Sequence, residues 1–90
     1  GGDTLARIAH AEKWLASHPR DEQLLLALGR LCRQRQLWGK ARRPLEQAAQ
    51  AQTLPALPRR RSWRALAQLA EQEGDTERAN ACAWAAARID

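Results

Sequence analysis

Apolar residues recur along this chain at three- and four-residue intervals, the spacing that puts one apolar stripe on each of a series of helices. A first helix is predicted from about Thr4 to Ser17, with Leu5, Ile8, Ala11 and Leu15 on one side, Asp3 as candidate cap and Pro19 beyond its end. A second runs from near Asp21 to about Arg35 and carries Leu24, Leu25, Leu28, Leu31 and Cys32. A third covers roughly Leu37 to Gln52, with Ala41, Leu45, Ala48 and Ala49 on one side. Thr53 to Pro58 reads as a loop, because prolines at 55 and 58 break helix. A fourth helix then spans about Arg61 to Gln72, and Gly74-Asp75 turns into a fifth, from Thr76 to about Arg88. Ala, Leu, Gln, Glu and Arg dominate and β-branched runs are missing, so the expected class is all-α. Pro44, inside the third helix, removes a backbone donor and predicts a kink without a functional role.

A shift of 38 residues superposes the second and third helices on the fourth and fifth. Leu25 falls on Trp63, Leu28 on Leu66, Gly29 on Ala67, Leu31 on Leu69, Ala41 on Ala79 and Ala48 on Ala86. Self-similarity of a helix–turn–helix unit is the mark of a solenoid. The first copy, Leu25-x2-Leu28-Gly29-x2-Cys32 followed by Ala41-x3-Leu45, resembles the tetratricopeptide pattern W-x2-L-G-x2-Y…A-x3-F. The second copy reads Trp63-x2-Leu66-Ala67-x2-Ala70, then Ala79-x3-Ala83. Cys32, Ala70, Leu45 and Ala83 stand where the family has aromatic residues. The resemblance implies a tetratricopeptide-like antiparallel helix-pair solenoid of about five helices. Residues 1–20 would be the second helix of a truncated repeat, 21–54 one repeat, 55–60 a Pro/Arg loop and 61–90 a second repeat. Small residues such as Gly29, Ala41, Ala67 and Ala79 would let paired helices approach, and large ones such as Leu25, Leu28, Trp63 and Leu66 would fill the space between pairs.

Leu24 to Cys32 and Gln36-Leu-Trp-Gly-Lys-Ala-Arg42, with Ala11-Glu-Lys-Trp-Leu15 and His18-Pro19 upstream, also resemble the C-terminal repeats of HemY-type proteins. These are bacterial inner-membrane proteins associated with haem and porphyrin metabolism, with an N-terminal membrane hairpin. The resemblance implies a scaffold whose partners include haem-pathway enzymes. Its membrane anchorage would lie in a missing N-terminal part, leaving this domain soluble and facing the cytoplasm. It supplies no catalytic residues to carry over.

Composition bounds the rest. Ninety residues suit one small domain, and 44% hydrophobic with 28% charged residues suits a folded, soluble one. Methionine is absent, so the chain reads as a piece of a longer product, with Gly1-Gly2 a remnant of cloning. Thirteen of fifteen cationic residues are Arg, and the net charge of +5 favours acidic partners. In the family's architecture the first helix of each pair builds the concave wall. Helical spacing puts Gln23, Leu26, Arg30, Arg33 and Gln34 on that wall in the first copy, and Arg61, Arg64, Gln68, Glu71 and Gln72 in the second. Guanidinium forks suit carboxylates, so the expected activity is docking of an acidic protein segment. Arg30, Arg33, Arg61 and Arg64 would hold it over an apolar floor of Leu26 and Ala65.

The rival function is a nucleic-acid or anionic-surface module built on Arg59-Arg60-Arg61, the less favoured because Trp63 is expected in the core rather than free to stack a base. Trp14, Trp38 and Trp84 are expected in packing, with Trp14 at the cut end a candidate dimer contact. Cys32 and Cys82 fit neither a disulfide framework nor a metal site, and His10 and His18 lack haem-attachment spacing. Glu71 and Glu73 lie on different helical faces and form no acid/base pair. No nucleophile–base motif or phosphate loop occurs, so neither catalysis nor a cofactor is expected.

Overall fold

A computed structural model describes residues 2–89; Gly1, half of the pair read as a cloning remnant, and Asp90 lie outside the described residues. The chain is all-helical: α1 (Gly2–Ser17), α2 (Glu22–Gln34), α3 (Trp38–Gln50), α4 (Ala56–Gln72) and α5 (Thr76–Ala87), with no strand among the described residues. Packing follows chain order, α1 on α2, α2 on α3, α3 on α4 and α4 on α5. One core cluster joins Ile8 and Ala11 of α1, Leu28 and Cys32 of α2, Ala41 and Leu45 of α3, Leu66 and Leu69 of α4, and Cys82 of α5. A second cluster gathers Leu25, Leu26, Ala48 and Leu54.

Two starts differ from the sequence reading. Asp3 lies in the first turn of α1 rather than capping it, where its carboxylate favours the positive end of the helix dipole. The loop expected over 55–60 is mostly helix: α4 begins at Ala56, with Pro55 as its N-cap and Pro58 in its first turn. The first N–H groups of a helix have no intrahelical acceptor, so a proline there forfeits nothing. α3 runs through Pro44, which is buried beside Glu12 and Leu15 of α1.

The helix pairs α2/α3 and α4/α5 close with the same turn. After α2, Gln36 N–H donates to Arg33 O at 2.9 Å and Leu37 N–H to Cys32 O at 2.8 Å. After α4, Gly74 N–H donates to Glu71 O at 3.1 Å and Asp75 N–H to Ala70 O at 2.8 Å. Both are Schellman closures, which need a left-handed residue, here Gln36 at φ 59° and Gly74 at φ 75°. These two residues are related by the 38-residue shift that superposes the two halves.

Within the first pair, Gly29 sets the approach of α2 to α3. A Cβ at Gly29 would lie 2.7 Å from Leu45 Cδ2 and 2.8 Å from its Cγ, and Leu45 is fully buried. In α5 the equivalents of Leu45 and Ala49, Ala83 and Ala87, are exposed, because α4 covers that side of α3 and no described element covers it on α5.

Two substitutions test this account by urea unfolding. Gln36→Gly should stabilise by about 0.5–1 kcal/mol, since it relieves a left-handed non-glycine residue. Gly29→Ala should destabilise by about 1–2 kcal/mol, because overpacking against Leu45 outweighs the helix propensity gained.

Candidate functional site

α2 starts at a side-chain cap, Asp21 Oδ1 accepting from Leu24 N–H at 3.0 Å. That fixes the register which brings Leu26, Arg30 and Arg33 to one side of α2 at four- and three-residue spacing. α4 starts at the two prolines, and its buried Ser62 donates its hydroxyl to Pro58 O at 3.0 Å. Arg61, Arg64, Ala65 and Gln68 follow on the side facing α2.

These residues enclose one cavity of about 300 Å³. Leu26, Pro58 and Ala65 give it apolar surface, with the fully buried Leu45 behind them, and Arg30, Arg33, Arg61 and Arg64 border it. Of the wall residues named from the sequence, Leu26, Arg30, Arg33, Arg61, Arg64 and Gln68 line this cavity; Gln34, Glu71 and Gln72 do not, and Gln23 is exposed elsewhere on α2. Leu45 and Pro58 were missed. Leu45 reaches the cavity from α3, and Pro58 had been placed in a loop; neither signal is carried by the α2 and α4 spacing.

A second, more open hollow of about 450 Å³ continues the trough, lined by Arg33, Gln34, Trp38, Gln68, Glu71 and Gln72. Arg33 and Gln68 border both spaces, and Arg33 Nη1 donates to Gln68 Oε1 at 2.5 Å across the gap between α2 and α4. This bond is the partition between the two compartments. Gln34, Glu71 and Gln72 border this second hollow together with Arg33.

The ion pairs of the described residues lie elsewhere: Lys40 with Glu12 at 3.4 Å, Arg42 with Glu73, and Arg78 with Asp75 at 4.0 Å. None of the four cavity arginines has a carboxylate partner among the described residues, so the trough carries uncompensated positive charge at a surface with apolar walls. Glu73 is taken up by Arg42, whereas Glu71 faces the second hollow without an ion-pair partner among the described residues.

The Arg59-Arg60-Arg61 run does not act as a unit. Arg59 Nε donates to Leu54 O at 3.0 Å and Arg60 Nη2 to Ile89 O at 2.7 Å, tethering the start of α4 to the preceding turn and to the end of α5. Only Arg61 faces the trough. Trp63 is half-buried against the core, beside Cys82 and Leu66. Trp38 is half-buried at the second hollow, while Trp14 and Trp84 are 50% and 66% exposed. Trp14 stacks on His18 at 4.7 Å between ring centroids.

Cys32 and Cys82 are free and buried. Burial pushes both thiols above their ordinary range; Glu12 adds to this at Cys32, while Arg78 opposes it at Cys82. Among the described residues no group of three or more His, Cys, Asp or Glu side chains could hold a metal ion, and no helix is long and apolar enough to cross a membrane.

The chain matches no protein-family model, no curated protein and no solved structure.

The thiols supply a local check on packing. At pH 7.5 iodoacetamide should label neither cysteine rapidly in the folded chain, Cys82 should react before the fully enclosed Cys32, and both should react freely in urea. A thiol with a raised folded pKa loses its proton first in the unfolded chain. Its contribution to stability is therefore present below about pH 8.5 and declines as pH rises through the folded value.

Proposed function

We propose that this domain is a non-catalytic protein-interaction module that docks an acidic, extended segment in the trough between α2 and α4. The observation that carries the reading is the cavity itself: four arginines with no carboxylate partner among the described residues, arranged around apolar surface from Leu26, Pro58 and Ala65. Guanidinium forks bind carboxylates bidentately, and the apolar floor takes an aliphatic side chain between them. A ligand of Glu or Asp flanking a Leu has that chemistry.

The same proposal makes α2/α3 and α4/α5 two repeats of a tetratricopeptide-like solenoid, with α1 the second helix of a preceding unit. Its support is the shared Schellman turn at Gln36 and Gly74, the buried small residues Gly29 and Ala67, and the chain-order packing of the helices. A HemY-type, haem-associated scaffold role, with an anchor outside this piece, rests on sequence resemblance alone, over Ala11 to Leu15, His18-Pro19, Leu24 to Cys32 and, most specifically, Leu37 to Arg42. The nucleic-acid alternative loses its main support where Arg59 and Arg60 are bound to backbone carbonyls.

The test is a fluorescence-anisotropy titration with a labelled, end-capped Glu-Glu-Leu-Glu-Glu peptide at 0.15 M salt, where the Debye length is about 8 Å. Arg61→Gln combined with Arg64→Gln should weaken binding about tenfold, as expected for losing two exposed charge contacts. The charge-matched pair Arg7→Gln with Lys13→Gln on α1 should leave it unchanged. Equal weakening by both pairs would assign binding to net charge and remove the groove.

A further inference from the structure

The trough is not uniform, and its two compartments differ in charge. The first is bordered by Arg30, Arg33, Arg61 and Arg64. The second, beyond the Arg33–Gln68 bond, presents Glu71 without an ion-pair partner among the described residues, together with the half-buried Trp38 and the amides of Gln34 and Gln72. Arg33, the one cation bordering that hollow, has its guanidinium turned to Gln68. A carboxylate and an indole bordering one hollow make a place for an ammonium or guanidinium group, which can gain an ion pair and a π-face together.

We infer that the ligand is a charge-polarised segment whose acidic residues lie among Arg30, Arg61 and Arg64 and whose cationic residue lies against Glu71 and Trp38. This rests on the acidic-segment reading and adds a rule for the far end of the ligand. Arg61 and Glu71 are separated by about 15 Å along α4 at 1.5 Å rise per residue. An extended chain crosses that distance in about five residues. The segment is therefore short, with the acidic residue at Arg61 and the basic residue at Glu71 about four positions apart. The Arg33–Gln68 bond sits between the two compartments, where a ligand carboxylate competes for Arg33.

The experiment is a cycle of binding measurements on the whole domain with end-capped pentapeptides. The probes are Glu-Leu-Glu-Gly-Lys and Lys-Gly-Glu-Leu-Glu, which put the lysine at either end, and the all-acidic Glu-Leu-Glu-Gly-Glu. In the wild type one lysine peptide should bind about fivefold more tightly than the all-acidic one, the gain expected of one ion pair with a π contact. In Glu71→Lys that order should reverse. Arg61→Gln should weaken the lysine and all-acidic peptides alike, keeping their ratio. If all three peptides bind, and the wild type and Glu71→Lys rank them identically, the polarity rule is overturned while the acidic-groove reading stands. If none binds the wild type, both fall. Circular dichroism of Glu71→Lys should be unchanged, because Glu71 is exposed and makes no ion pair with a described residue.

Discussion

The contact between Gly29 and Leu45 sets the rest of the architecture. Leu45 is wholly enclosed, its side chain fills the space where a Cβ on Gly29 would stand, and it also contributes to the cavity between α2 and α4. One side chain thus fixes how near α3 lies to α2 and backs the cavity wall beneath the arginines. Close packing makes this demanding, since interiors have little room for even one added methylene. The pairing is local to the first unit. At the equivalent positions the second has Ala67 and Ala83, and Ala83 faces outward because α5 has no described helix beyond it.

Upon that frame the trough is an electrostatic arrangement left unsatisfied within the described domain. Acids are present in number, yet those that form ion pairs do so at Lys40, Arg42 and Arg78, on other faces. Gathering four guanidinium groups around one cavity costs mutual repulsion, which solvent screening keeps small at an exposed site. An acidic ligand removes that repulsion and replaces it with bidentate contacts. Because the floor is apolar, binding draws on burial as well as charge, which separates this surface from a simple polyanion patch.

Much of this was legible in the sequence, for reasons that differ by residue. The apolar stripes of α2 and α3 carry the helical period plainly, so their spans came out within a residue or two. The wall residues of α2 and α4 were legible because sequence spacing alone sorts the faces of a helix, and Arg30, Arg33, Arg61, Arg64 and Gln68 do converge. Gln23 shares the face of Arg30 but stands in the first turn of α2, a turn before Leu26, beyond the end of the cavity. Pro58 misled because proline breaks helix interiors but not first turns. Leu45 was hidden as a cavity residue because its role depends on α3 passing beneath two other helices. Gln36 shows the reverse case: glutamine carries no turn signal, yet the 38-residue shift from Gly74 marks its position.

The central claim is that the trough between α2 and α4, and not the charge of the domain as a whole, receives an acidic segment. Its most direct measurement is an NMR titration of the isotope-labelled domain with the Glu-Glu-Leu-Glu-Glu peptide, following backbone amides and arginine Nε signals. The account predicts shifts concentrated at Arg30, Arg33, Arg61, Arg64 and Gln68, with Arg59 and Arg60 little changed because their guanidinium groups hold Leu54 O and Ile89 O. Shifts centred on Arg59 and Arg60, or spread evenly over the cationic residues of α1, α3 and α5, would contradict it.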